Sequence, residues 1–318
     1  MHHFIFNIII TLIFVNIHIL TAADKKDDER YLAREYLPSW DNIQDDVIYK
    51  QDDKINLAMT IFNSQLNNRK KPLVVYIHGG GWTGGNRYNV LRRVDLSVVY
   101  ELNKQGVVCV SIDYRLVKNN EVTAFDSVID CFDAIRHLVL NADKYGIDPE
   151  RIGLFGGSAG GHLALVTALG IPSDYCIDVP PVDIGWKIRC VAAYYPRVSF
   201  SDPVMLKSDK VPWESVQRGV HSALGGPLDQ KFEIAHKLSP IELLQINSPP
   251  IFLAHGDADD ILPVCNSTAM RDVAQAKGVP VECIIVKGAK HCFDGQNNIP
   301  TDDDIVKRTV DFLLTNLR

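Results

Sequence analysis

The sequence predicts an α/β fold, with a mainly parallel central sheet, helices on both of its faces and a small inserted cap region. Two observations predict it. Short apolar runs, typical of strands buried on both faces, alternate with longer runs of helical periodicity, and this order is that of parallel strands joined by helical crossovers. The chain has 318 residues, 46% of them hydrophobic and 23% charged, a globular composition that supports a large core. No linker rich in Gly, Ser or Pro divides residues 24–318, so one domain is expected.

The predicted elements follow in chain order. Residues 46–50 and 55–62 are expected to form two antiparallel strands at the edge of the sheet, separated by a polar turn. The further predicted strands are apolar runs at 72–77, 107–112, 152–155, 188–195, 250–254 and 281–286. Helical runs are predicted at 90–104, 126–145, 162–169, 264–277 and 301–317. The pattern switches between strand and helix along most of the chain.

Residues 196–239 interrupt this alternation. The segment contains Trp213, several prolines and Gly225-Gly226, and it is interpreted as a partly helical, cap-like insert. Sites in open parallel sheets gather at the carboxyl ends of the strands. His78, Ser158, residues 255–260 and the loop of His291 all follow predicted strands. We therefore expect them at one edge of the sheet.

The turn after the run at 152–155 has the sequence Gly156-Gly157-Ser158-Ala159-Gly160. Gly-x-Ser-x-Gly between a strand and a helix is the nucleophile-elbow pattern of α/β-hydrolases. Small neighbours let the chain bend sharply enough for a serine hydroxyl to stand clear. Three fixed residues are weak evidence alone, and a plain glycine-rich turn is the alternative. The flanking strand and helix favour Ser158 as a nucleophile.

A nucleophilic serine needs a histidine base, and the base needs a carboxylate to orient it. The α/β-hydrolase order is serine, acid, histidine. Behind Ser158, a predicted strand leads into a loop that carries Asp257, Asp259 and Asp260, which compete for the role of the acid. His291 follows the next strand in a glycine-containing turn and is the candidate base. A solvent-exposed histidine without a catalytic role is its alternative.

The run His78-Gly79-Gly80-Gly81-Trp82 follows another buried strand. A glycine run is often only a turn, but at this place it fits an oxyanion loop, whose backbone amides approach a developing negative charge. We select the amides of Gly80, Gly81 and Ala159 as donors, with Gly79 as a further one. Trp82 is a candidate substrate-binding residue in the acyl pocket, with core packing as its alternative.

Together these four motifs resemble the α/β-hydrolase esterases of the hormone-sensitive-lipase-like and BD-FAE types, the latter including feruloyl and acetyl esterases. They are also similar to kynurenine formamidases. The resemblance extends from about residue 46 to the C-terminus. It implies that the acid is the fifth residue of the His-Gly loop, Asp259, and that His291 is the base. It also implies that Asp113-Tyr114-Arg115 is an ion-paired scaffold. His78, His162 and His255 are interpreted as structural residues.

Charge and ligand patterns exclude several partners. The net charge is −6 and the isoelectric point is near 5.9, without a basic cluster, so nucleic acid is not an expected partner. No metal-ligand spacing and no phosphate-binding glycine loop is found in the sequence. Neither a metal nor a cofactor is therefore expected.

The first 23 residues contain no Lys, Arg, Asp or Glu and are dominated by apolar side chains. Their length and the small residues before a cleavage point after Ala23 predict a secretory signal peptide, with an uncleaved membrane anchor as the alternative. We expect a secreted protein without stable membrane insertion. Asn266-Ser267-Thr268 then predicts a glycosylation site. Among the seven cysteines, Cys265 and Cys292 are candidates for a disulfide bridge.

The predicted function is that of a secreted serine carboxylic ester hydrolase, which forms an acyl-enzyme with small or short-acyl esters. Acetyl or feruloyl groups on polysaccharide are the substrates suggested by the resemblance. One alternative is an arylformamidase, because the same residues cleave small amides. The other is a non-catalytic binding protein on a hydrolase scaffold.

Overall fold

A computed structural model describes residues 43–62, 70–118, 121–175, 186–208 and 211–318. The predicted signal peptide at residues 1–23 lies outside these ranges. Within them, no helix has the length and apolar character needed to cross a membrane.

Eight strands form one sheet in the order β1-β2-β4-β3-β5-β6-β7-β8. Their bounds are β1 Gln44–Gln51, β2 Asn56–Phe62, β3 Lys71–Ile77, β4 Val108–Ile112, β5 Ile147–Gly157, β6 Ile188–Tyr194, β7 Ile251–Gly256 and β8 Val281–Val286. β1 pairs with β2, and β2 with β4, in antiparallel fashion. All the other pairs are parallel. The predicted antiparallel edge and mainly parallel sheet are confirmed.

The buried parts of the central strands are mainly apolar because helices cover both faces of the sheet. In β3, Leu73, Val75 and Ile77 enter the core on one face. Val74 and Tyr76 enter the core on the other face. Alternate side chains of a strand point to opposite faces, so a strand between two helical layers has no solvent-facing position to fill with polar residues.

Ten α-helices are found in the described part of the chain. They are α1 Arg93–Lys104, α2 Ala124–Leu140, α3 Ala142–Tyr145, α4 Ala159–Leu169, α5 Pro203–Leu206, α6 Trp213–Leu224, α7 Phe232–Lys237, α8 Pro240–Leu243, α9 Cys265–Ala276 and α10 Asp302–Asn316. α1 and α10 bury apolar side chains in one core, whereas α2, α4 and α9 do so in the other. The helix predicted at 126–145 is divided in two at Asn141. The helix predicted from 90 begins at Arg93, after a 3₁₀ turn.

The segment between β6 and β7 is helical, as predicted for the insert at 196–239. Its longest helix, α6, buries Val216, Val220, Ala223 and Leu224 in the core that α2 also contacts. Val216, Val220 and Ala223 also line the same cavity as Ser158, the residue that follows β5, so the insert lies next to the predicted nucleophile.

Candidate active site

Ser158 lies in a strained turn between β5 and α4. Its backbone has φ 56° and ψ −122°, a region that costs a non-glycine residue on the order of 1–3 kcal/mol. The turn also requires glycine at position 160, two residues after the serine. A Cβ at Gly160 would lie 2.0 Å from the carbonyl oxygen of Ile77 and 2.6 Å from that of His78. The elbow is thus pressed against the end of β3, where the glycine loop begins.

The imidazole of His291 lies between Ser158 and Asp259. Its Nε2 is 3.0 Å from Ser158 Oγ, and its Nδ1 is 2.8 Å from Asp259 Oδ2. The three residues follow β5, β7 and β8 at the carboxyl edge of the sheet, as expected. With Nδ1–H donating to the carboxylate, Nε2 is left as an acceptor for the serine hydroxyl. This arrangement can remove the hydroxyl proton as the oxygen attacks an electrophile.

Asp259 is held by four hydrogen-bond donors. Oδ1 accepts from the amides of Ile261 and Leu262, each at 2.9 Å. Oδ2 is contacted by His291 and, at 3.2 Å, by Nε2 of His255. Burial raises the pKa of Asp259, but hydrogen bonds from the two histidines, the charge of His291 and the Leu262 amide outweigh it and hold the pKa well below its usual value. The carboxylate is therefore ionised near neutral pH.

The loops that carry the acid and the histidine are locked together. Ala258 N donates to Ala289 O at 3.0 Å, and Asp257 Oδ1 accepts from Gly288 N at 2.7 Å. A Cβ at Gly256 would lie 2.1 Å from Ala289 O, so the His-Gly pair that opens the acid loop permits this close approach. Asp257 thus joins the two loops, and Asp259 is the carboxylate that contacts His291.

Two contacts of the site were missed by sequence reasoning. His255, interpreted only as structural, receives a hydrogen bond at Nδ1 from Ser267, 2.8 Å away, and directs Nε2 toward Asp259. Tyr195, directly after β6, places its ring centroid 4.7 Å from that of His291. The position of His255 before the glycine of the acid loop was a usable signal. No sequence pattern pointed to Tyr195.

The side chain of His78 holds the start of the glycine loop through two contacts. Its Nδ1 lies 2.7 Å from Gly79 O, and its ring stacks on Tyr114 at a centroid distance of 4.1 Å. Burial lowers the pKa of His78 to about 4, so the ring is neutral near pH 7. The interpretation of His78 as a structural residue agrees with these contacts. The neighbouring Asp113 pairs with Arg87, and Arg115 pairs with Asp126 and Asp130, in the ion-paired scaffold that the resemblance implied.

Gly81, Ser158 and Ala159 surround one cavity of about 270 Å³. Gly79 and Gly80 are not among the residues that line it. The amides of Thr83 and Gly84 both donate to Gly80 O, at 3.2 and 3.0 Å, which curls the loop into a tight turn. Of the four predicted oxyanion donors, the structure therefore brings Gly81 and Ala159 to the cavity.

Trp82 lines this cavity, and its indole also packs against neighbouring side chains. Its Nε1–H donates to Nδ1 of His162 at 3.1 Å, and Nε2 of His162 donates to Leu238 O at 2.7 Å. Burial lowers the pKa of His162 to about 3, which keeps the ring neutral and able to accept at Nδ1. The Trp82 ring also lies 5.5 Å from that of Phe200. The orientation of the Trp82 indole is thus fixed by contacts with α4 on one side and with the insert on the other.

Two predictions about modification fail in the structure. Asn266 is fully buried, its Nδ2 donates to Met205 O and Pro263 O, and its Oδ1 accepts from Val198 N. A glycan has no room there, so the predicted glycosylation at Asn266 is wrong for the folded chain. Cys265 and Cys292 are both free, so the candidate disulfide bridge between them is also absent.

Comparisons with known proteins identify the family of this chain. The BD-FAE family model matches residues 59–273. The chain is 27% identical to Esterase LipC of Mycobacterium tuberculosis over 251 residues, which are 76% of this chain and 58% of LipC. It spans about half the length of the curated relatives it matches.

Solved structures support the fold. The thermophilic esterase Est2 of Thermogutta terrifontis with bound propionate superimposes with a TM-score of 0.68 at 24% identity, covering 86% of this chain and 93% of Est2. A truncated carbohydrate esterase from gut microbiota gives a TM-score of 0.68 at 22% identity, covering 87% and 96%. The described residues therefore have the fold of these esterases.

Proposed function

This chain belongs to the BD-FAE family and has the α/β-hydrolase fold, and from this premise we propose that it is a serine carboxylic ester hydrolase. The observation that carries the proposal is the continuous contact from Ser158 through His291 to Asp259. The relative LipC is named an esterase. A non-catalytic binding protein would have no need of a strained serine held within hydrogen-bond distance of an oriented imidazole.

The reaction proceeds in two acyl-transfer steps. His291 takes the Ser158 proton at Nε2 as Oγ attacks the ester carbonyl, and the imidazolium then protonates the leaving alcohol. Water repeats the sequence on the acyl-enzyme and releases the acid. Asp259 stays ionised throughout, because its four donors favour the charged form, and it holds the tautomer in which Nδ1 carries the proton.

The oxyanion of each tetrahedral intermediate binds the amides of Ala159 and Gly81. Ala159 is the first residue of α4, so its amide also lies at the positive end of the helix dipole. Gly79 and Gly80 stay predicted donors beside them, and the Gly80 carbonyl also accepts from the two amides that close the turn of the loop. Loss of one oxyanion donor typically costs about 10²- to 10³-fold in kcat.

The cavity favours short acyl groups. Its volume of about 270 Å³ lies just below the roughly 300–1,000 Å³ of pockets for drug-sized ligands, and its walls include Trp82, Val216 and Val220. The solved structure of Est2 contains bound propionate, and another structural neighbour is a carbohydrate esterase. We propose acetyl and similarly small acyl esters, including acetyl groups on polysaccharide, as substrates in preference to the bulkier feruloyl esters. We also propose export of the protein by the predicted signal peptide.

The direct test is the hydrolysis of 4-nitrophenyl acetate by the wild type and by Ser158→Ala. We expect kcat/KM to fall by on the order of 10⁴- to 10⁶-fold, because the nucleophile is lost, with an unchanged circular dichroism spectrum and melting temperature. Ser199→Ala, which alters another serine of the same chain, is the control for handling and contaminating esterase. Equal turnover by Ser158→Ala and the wild type would refute the proposed function.

A further inference from the structure

Arg197 is a buried cation without a carboxylate partner among the described residues. Its side chain follows β6 and is 7% exposed. Nε and Nη1 are both buried, and neither has a hydrogen-bond acceptor. An unpaired buried charge is strongly unfavourable, and buried polar atoms nearly always have partners. Such a group indicates a ligand that supplies the missing acceptors.

The surroundings of Arg197 hold the guanidinium in place without neutralising it. Its Cζ lies 5.8 Å from the ring centroid of Phe200, and that ring packs against Trp82 and His162. Burial lowers the pKa of Arg197 to about 10, so the group is still charged near neutral pH. His162 cannot accept from it, because both ring nitrogens already have partners in Trp82 and Leu238.

Arg197 and Ser158 line the same cavity. Among the described residues that line it, Arg197 is the only one with a charged side chain, and the others are apolar or neutral, including Ser215 and Ser222 of α6. The whole protein carries a net charge of −6, so acidic side chains are abundant elsewhere. A cation in an otherwise uncharged pocket next to the nucleophile favours an anionic substrate group.

We propose that Arg197 is a specificity-determining residue that binds a carboxylate on the substrate, so that the enzyme prefers esters bearing a free carboxylate to their neutral isosteres. A guanidinium presents paired N–H donors that match a carboxylate, and such charge-assisted hydrogen bonds are among the stronger ones in proteins. This inference rests on the proposed esterase activity. The carboxylate can belong to the acyl part or to the alcohol part of the ester.

Two matched pairs of substrates separate these sources. For the acyl part, monoethyl succinate is compared with ethyl levulinate, which has a methyl ketone in place of the carboxylate, and ethanol release is measured. For the alcohol part, 4-acetoxybenzoate is compared with 4-acetoxybenzamide, and release of the phenol is measured. In one pair we expect the wild type to favour the anionic ester by about 10- to 100-fold in kcat/KM, the range of a charge-assisted hydrogen bond.

The variant Arg197→Met removes the charge at similar size and is expected to abolish this preference. Arg197→Lys keeps a cation and should retain part of it. Arg308→Met is the control for net charge, because Arg308 lies on α10 and pairs with Glu282 at the surface. The ratio between the two esters of a pair is the readout, so that differences in overall activity or in folded fraction cancel.

Three outcomes decide the matter. A wild-type preference that Arg197→Met abolishes and Arg308→Met preserves supports the inference. Hydrolysis of both esters of each pair without preference, or a preference unchanged in Arg197→Met, overturns it while the esterase proposal stands. Absence of hydrolysis of every ester, including 4-nitrophenyl acetate, refutes the esterase proposal itself.

Discussion

Two buried charged groups of the site differ in how many hydrogen-bond partners the protein gives them. Asp259, in the loop after β7, has four donors from two amides and two histidines. Arg197, in the segment after β6, has two buried guanidinium nitrogens and no acceptor among the described residues. The first region is complete without a ligand, whereas the second lacks the partner that its charge requires.

This difference separates chemistry from recognition. The reacting groups must be preorganised, since any reorientation during the reaction would add to the barrier. A group that binds and selects the substrate must instead keep its hydrogen-bond donors without protein acceptors until the substrate binds. Substitutions of Asp259 and Gly160 test how rigidly the reacting groups are held, and the Arg197 variants described above test the second region.

After loss of the nucleophile itself, the largest expected effect is that of Asp259→Asn. The amide cannot balance the imidazolium and favours the wrong tautomer of His291, so kcat should fall by about 10³- to 10⁴-fold. The measurement is steady-state hydrolysis of 4-nitrophenyl acetate. Asp257→Asn is the matched control, because an Asn side chain still offers an oxygen to Gly288 N, and its loss should stay within about tenfold.

The carboxylate of Asp259 should also affect how the free energy of unfolding changes at acid pH. The folded-state pKa of Asp259 lies below its usual value of 3.8. Its contribution to the free energy of unfolding is therefore fully present above about pH 4 and is lost as the pH falls through the folded-state pKa. In urea titrations, the fall in stability below pH 4 should be shallower in Asp259→Asn than in the wild type. Equal slopes would contradict the assigned hydrogen bonds.

A smaller effect, on stability, distinguishes the elbow from the insert. Gly160→Ala places a Cβ 2.0 Å from Ile77 O, and this clash should lower the free energy of unfolding by about 3 kcal/mol or more. Gly219 lies inside α6, and a Cβ there would meet no atom within 4 Å. Gly219→Ala should therefore raise stability by about 0.5–1 kcal/mol.

Denaturant unfolding measures the free energy of unfolding of both variants and of the wild type. If Gly160→Ala were as stable as the wild type, the close packing of the elbow on β3 would be wrong. If Gly219→Ala were strongly destabilised, α6 would not have the open face toward the cavity that the structure gives it.

The sequence predicted the sheet and the reacting residues well, because both leave local signals. The apolar run at 72–77, within β3, is typical of a strand that is covered on both faces. The elbow, the glycine loop and the His-Gly loop carry glycines at close contacts, and these constraints are visible in short motifs. The choice of Asp259 over Asp257 and Asp260 needed the family resemblance, since spacing alone left all three open.

The rest depended on contacts between distant segments. Tyr195 meets His291 across about a hundred residues of chain, and nothing near it in the sequence signals the contact. Arg197 resembles any other arginine until its burial is known. Asn266 carried a sequon, but its three hydrogen-bond partners are two backbone atoms of the insert and the carbonyl of Pro263, just before its own helix.

The central claim is that Ser158 is an activated nucleophile, and covalent labelling tests it most directly. A fluorophosphonate should react with the folded wild type at one position, because Oγ attacks phosphorus and fluoride leaves. Peptide mass mapping should place one phosphonyl group per chain on the peptide that contains Ser158, and His291→Ala should label much more slowly. No labelling of the folded wild type, or labelling at another residue, would contradict the account.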